Sequence, residues 1–162
     1  MIFQVSEAEI KRAQVPHNLF VTGIFFFDLL LTPAAIVMKI GLLGLLLPLG
    51  CSLLVIAAIY ARSRKVMVWF VDVHWRLAMR HARWLMAGYA VSAAFMLLAF
   101  LLSLSAHDPH MKHILLTALT RIAVLPTLVA VMVTVVMEAS ALALAGRGEV
   151  PDRMVQKFPP TA

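Results

Sequence analysis

The sequence predicts an all-α integral membrane protein: four transmembrane helices, paired as two antiparallel hairpins, with both termini on the cytoplasmic side. Three observations predict it. Apolar residues fill 62% of the 162 positions and charged ones only 14%, against roughly half and a quarter in a soluble domain. The apolar excess is segmented into 19–38, 42–61, 84–104 and 114–137, each reaching the ~20 residues that a bilayer requires. The basic residues are distributed asymmetrically between the connections, as the positive-inside rule demands. Backbone groups in lipid must be satisfied within the segment, so spans of this length are helices.

Residues 1–18 read as a cytoplasmic N-terminal arm entering the first span through Pro16 and Asn18. Glu7 and Glu9, with no short apolar core before a small-residue cleavage site, argue against a cleaved signal. The first two spans meet at Met38-Lys39-Ile40-Gly41, a connection so short that they must be neighbours. Pro33 and Pro48 kink this hairpin or set its turn, and Gly44 and Gly50 permit close backbone approach. Residues 62–83 form the central connection, an amphipathic basic loop. On a helix, Asp72, Arg76, Arg80 and Arg83 share one face, and Val66, Trp69 or Phe70, Val73 and Leu77 another. Such a segment lies among anionic headgroups with Trp69, Trp75 and Trp84 at the interface, or extends the flanking helices and presents Arg62, Arg64, Lys65, Arg76, Arg80 and Arg83 to a partner.

The third and fourth spans are joined near Ser105–Pro109, where Asp108 and Pro109 make an N-cap followed by an N1 proline. A helix from Pro109 to Ala145 is about 55 Å long at 1.5 Å per residue, more than the ~30 Å of hydrocarbon, so it tilts, bends at Pro126 or projects. The transmembrane domain then covers 19–145. The tail, 146–162, holds Pro151, Pro159 and Pro160 with mixed charges and reads as extended when alone.

Eleven of the fourteen basic residues fall on one side, namely on the arm, central loop and tail. Only Lys39 and Lys112 fall on the other, and Arg121 lies within a span. This places both termini in the cytoplasm of a bacterial inner membrane. It also accounts for the isoelectric point of about 10.1, so no nucleic-acid partner is needed to explain the charge.

Charge in hydrocarbon is costly, which singles out Asp28, Arg121 and Glu138. Asp28 and Arg121 lie about 15 and 10 Å from the same membrane face by helical rise, a spacing that arginine's reach closes. They are expected to form an intramembrane pair. Glu138 is a secondary membrane acid near the cytoplasmic end, within reach of water, His17 or the loop arginines. His107, His110 and His113 in HDPHMKH are candidate copper or zinc ligands on the outer side. His17, His74 and His81 are candidate haem b ligands, which requires the loop to be a helical extension. The lone Cys51 forms no intramolecular disulfide. No HExxH, phosphate-binding loop or hydrolase triad pattern is present.

These features favour a non-catalytic accessory or scaffold subunit of a respiratory, photosynthetic or secretion complex in the inner membrane. Its expected partners are the lipid bilayer, anionic headgroups and other membrane subunits, and no cofactor is required. A small oligomeric proton-coupled transporter using Asp28 is one alternative, and a haem b- or quinone-binding redox subunit another.

Overall fold

The computed structural model describes residues 1–38, 42–65, 68–105 and 107–160. Its order is α1 (Glu7–Gly23), a π-helical stretch (Ile24–Leu31), α2 (Thr32–Val37), α3 (Leu42–Arg62), α4 (Trp69–Leu104), α5 (Pro109–Ala123), α6 (Leu125–Gly146) and α7 (Asp152–Lys157). Four helical segments are long and apolar enough to cross a membrane: Glu7–Ala35, Gly44–Arg62, Trp69–Leu104 and Pro109–Gly146. Phe25, Leu30, Leu54, Phe100, Val129 and Val136 are each more than half exposed. Water would penalise such surfaces, and acyl chains would not.

The chain divides into two compact units, Met1–Ala82 with Val135–Ala162, and Arg83–Thr134. In the first, α1 starts earlier than hydropathy suggests. Ser6 Oγ accepts from the Glu9 amide at 3.3 Å, and the Glu9 carboxylate accepts from the Ser6 amide at 2.8 Å, a reciprocal capping box. The helix therefore opens at Glu7 and runs through Pro16 and Asn18, with only residues 1–6 before it. Pro33 supplies no amide to the carbonyl four residues before it. The chain answers by widening the turn: the Thr32 amide and hydroxyl both donate to Phe27 O, five residues back, the hydroxyl at 2.9 Å. α3 packs against α1, the π-helical stretch and α2. The connection expected at Met38-Lys39-Ile40-Gly41 lies outside the described residues from Lys39 to Gly41.

The 62–83 segment is not one loop. After a short turn, helix α4 begins at Trp69 and carries the rest. Its Phe70, Val73 and Leu77 are buried with Ala13 of α1, Ala141 and Ala145 of α6, and Val150 and Met154. The face expected to meet headgroups or a partner is covered by the chain's own ends. Val66 lies outside the described residues.

The tail is likewise folded. Gly148 at φ 69° takes the left-handed conformation that glycine tolerates best, turning the chain back after α6. Residues 1–3 then pair with 148–150: Phe3 N–H donates to Gly148 O and Val150 N–H to Met1 O, both at 2.9 Å. Helix α7 buries Met154, and Trp69 Nε1–H donates to Phe158 O at 2.9 Å.

In the second unit, Asp108 caps α5 by accepting from the His110 amide at 3.0 Å, with Pro109 in the first turn. The long fourth helix is interrupted at Val124, so α5 and α6 are separate segments. The Thr127 amide donates to Ser92 Oγ on α4 at 3.0 Å, a side-chain substitute for the helical acceptor lost at the break. Gly88 makes this closeness feasible, because a Cβ there would collide with that of Ala130. Ala106 lies outside the described residues.

Candidate functional site

Three histidines and one glutamate converge inside the first unit. His17 comes from α1, His74 and His81 from α4, and Glu138 from α6. The seven-residue spacing of His74 and His81 is two helical turns, which puts both on the face that carries the Phe70–Val73–Leu77 seam. His17, His74 and Glu138 are fully buried, and His81 is 6% exposed.

The four side chains form one hydrogen-bonded chain. Glu138 holds His17 Nδ1 at 2.6 Å through Oε2 and His81 Nδ1 at 2.6 Å through Oε1. His17 Nε2 meets His74 Nδ1 at 3.0 Å. His74 Nε2 reaches the Glu149 backbone carbonyl at 3.2 Å. Phe70 meets the His74 ring edge-on at 4.9 Å between centroids, closing the apolar wall.

The direction of these bonds follows from Glu149. A carbonyl only accepts, so His74 Nε2 carries a proton, and each remaining link also needs one. Four links need four protons, and three neutral imidazoles bring three. The fourth neutralises Glu138 or converts His17 to imidazolium beside it. Either way the cluster has no net charge, which is how a carboxylate survives burial here. His81 then holds its proton on Nδ1, toward Glu138, and keeps a lone pair on Nε2. The chain is closed at Glu149, whose carbonyl takes no proton, and open at His81.

His81 lines a groove of about 330 Å3 together with Val136, Met137, Ser140, Leu144 and Pro151, among others. Carboxylate support on one ring nitrogen makes the other a better base or metal donor.

The remaining singled-out residues lie elsewhere. Asp28 is half-buried in the π-helical stretch and accepts from Ser52 Oγ at 3.0 Å. Arg121 is exposed on α5 in the other unit, lining an open groove with His110, His113 and Thr117. His113 Nδ1 is 3.0 Å from Thr117 Oγ1, while His107, His110 and His113 are exposed. Among the described residues no group of three or more His, Cys, Asp or Glu is arranged to hold a metal ion. The bond between His17 and His74 leaves no gap for a porphyrin between those two rings. Arg62, Arg64, Lys65, Arg76, Arg80 and Arg83 are exposed. Arg76 is bonded to Asp72 at 2.7 Å and stacks over Phe158. Trp75 is buried and Trp69 half-buried, so neither belongs to a free basic surface.

Glu138, expected near an interface, is instead fully enclosed. The sequence offered His17 as one of its neighbours and missed the convergence of all four side chains. The available signal was the His74–His81 spacing, which has meaning only once residues 69–83 are recognised as helix. No protein-family model, curated protein sequence or solved structure matches this chain.

Proposed function

We propose that this chain is an accessory subunit of a multi-protein assembly in the bacterial inner membrane, with both termini cytoplasmic, and that its task is to hold a proton. The observation that carries this reading is the chain His81–Glu138–His17–His74, bonded end to end and sealed at Glu149 O. A proton arriving at His81 Nε2 releases the Nδ1 proton to Glu138, and the shift passes the charge on to His17, whose Nε2–H stays bonded to neutral His74. Because the far end is a carbonyl, the proton leaves by the way it entered. The arrangement is a store with one mouth, suited to serve as acid or base for whatever occupies the groove. The eleven-to-two basic asymmetry supports the orientation, and the exposed arginines around the folded ends offer the soluble-side contact surface.

The test is 15N-histidine NMR on the protein in lipid nanodiscs, with purification in mild detergent to identify co-purifying proteins. The expected result is His74 protonated on Nε2, His81 on Nδ1, and a proton shared between His17 and Glu138. Rapid averaging of all three rings between tautomers refutes the store. Recovery of the chain with no stoichiometric partner refutes the accessory role.

A second reading, a small proton-coupled transporter, is favoured by Asp28, which sits in a π-helical distortion of the first span and accepts from Ser52. Proton flux into proteoliposomes that is lost in Asp28→Asn and retained in Glu138→Gln would establish it over the first.

A further inference from the structure

The groove beside His81 has a chemistry of its own. It is lined by Val136, Met137, Leu144 and Pro151, with Ser140 and His81 as its polar groups. His81 is nine-tenths buried and its Nδ1 is occupied by Glu138. Nε2 has no partner described, and in the proton count above it carries a lone pair. The groove therefore asks for a ligand that donates one hydrogen bond from an apolar body. Val136 and Ser140 are exposed on α6, so the ligand enters from the side of the helix that faces lipid in a spanning protein.

A metal ion would fit less well, because none of the other residues lining the groove is His, Cys, Asp or Glu and one imidazole is too few donors. A phospholipid headgroup brings phosphate, an acceptor, toward a nitrogen that is itself an acceptor. A membrane hydroquinone brings a phenolic hydroxyl on a ring with an apolar tail, and a ring of that size fits about 330 Å3.

We infer that this groove binds the reduced form of a lipid quinone, with one phenolic O–H donated to His81 Nε2 and the ring lying between Met137 and Leu144. This rests on the proton-store reading, since the lone pair on Nε2 follows from the Glu138 bond. The oxidised form has only carbonyl oxygens to offer there, and two acceptors facing each other repel. The site is thus selective for the redox state that carries the protons.

The test is equilibrium binding of decylubiquinol and of decylubiquinone to the full chain in nanodiscs, with histidine tautomers read by 15N NMR in the same samples. The reduced form should bind saturably at one site and shift the His81 Nε2 resonance. The oxidised form should bind at least about tenfold more weakly, the factor that corresponds to one hydrogen bond. His81→Phe should erase that preference. Ser140→Phe, which fills the groove from its exposed side, should weaken reduced-form binding while leaving the His17–Glu138–His74 signals unchanged.

Equal uptake of both forms, or uptake indifferent to both substitutions, is simple partitioning into lipid and overturns the quinol site. A haem absorbance band acquired on adding haemin and lost in His81→Phe overturns it in favour of an axial ligand. Intact tautomers without selective binding refute this inference alone, whereas averaged tautomers refute the store beneath it as well.

Discussion

Replacing Glu138 separates a cluster that needs a charge from one that needs only its hydrogen bonds. With Glu138→Gln, the new amide N–H donates to His17 Nδ1, and its oxygen accepts from His81 Nδ1. His17 Nε2–H still donates to His74, and His74 Nε2–H to Glu149 O. All four bonds survive with three neutral imidazoles, at a cost of about 1–2 kcal/mol for exchanging charge-assisted bonds for neutral ones. Glu138→Leu has no such solution. His17 Nδ1 and His81 Nδ1 each lose a buried partner now 2.6 Å away. At about 1–3 kcal/mol per unsatisfied group, the loss is about 2–6 kcal/mol. Unfolding in mixed micelles by SDS titration, followed by tryptophan fluorescence, reads both variants, because Trp69 and Trp75 lie on the α4 segment that carries the cluster. Glu138→Gln should stay close to the parent protein and Glu138→Leu fall well below it, while proton exchange at His81 slows in both. Equal destabilisation by Gln and Leu would refute the neutral-cluster count, since it would mean that the carboxylate charge itself is required.

Four further outcomes are expected. Asp28→Asn and Arg121→Gln should each destabilise the protein, and the double variant should recover at least about 0.5 kcal/mol in a double-mutant cycle if the two are paired; strict additivity refutes the pair. Reporter fusions after Ala61, Leu104 and Ala145 should report cytoplasm, periplasm and cytoplasm, and a periplasmic signal at Ala61 would overturn the orientation. Gly148→Ala should cost about 1–2 kcal/mol because an L residue is strained at φ 69°, and the Phe3 carbonyl 3.0 Å from the new Cβ adds to that strain; unchanged stability would show that the paired ends are not part of the folded core. Neutralising Arg62, Arg64, Arg80 and Arg83 to Gln, with Arg76 left on Asp72, should reduce recovery of co-purifying subunits without preventing insertion, and undiminished recovery would place assembly contacts within the bilayer.

Several local features were legible in the residues themselves. Asp108-Pro109 announced the start of α5, and the tail boundary read at 146 falls where α6 ends, because caps are short-range chemistry. The Ser6–Glu9 capping box was equally present, yet the polar turns that follow it resemble a cytoplasmic arm when hydropathy alone is weighed. Residues 62–83 were ambiguous for a related reason. Their apolar stripe is the same whether it rests on headgroups, on a partner or on the chain's own tail, and only the last contact buries Phe70, Val73 and Leu77 here.

Hydropathy by itself determined the four long apolar helices, because a bilayer penalises each polar residue and each unpaired backbone group independently of the rest of the fold. That independence is absent for the cluster. His17 and Glu138 are 121 positions apart, and His17 and His74 are 57 apart. Nothing in their local sequence states that α1, α4 and α6 meet at those registers. Tertiary packing decided it: the same seam that buries Ala13 against Phe70 and Ala141 brings the three rings onto one carboxylate. Once there, they share a fourth proton, because the four hydrogen bonds need four and three neutral imidazoles supply three.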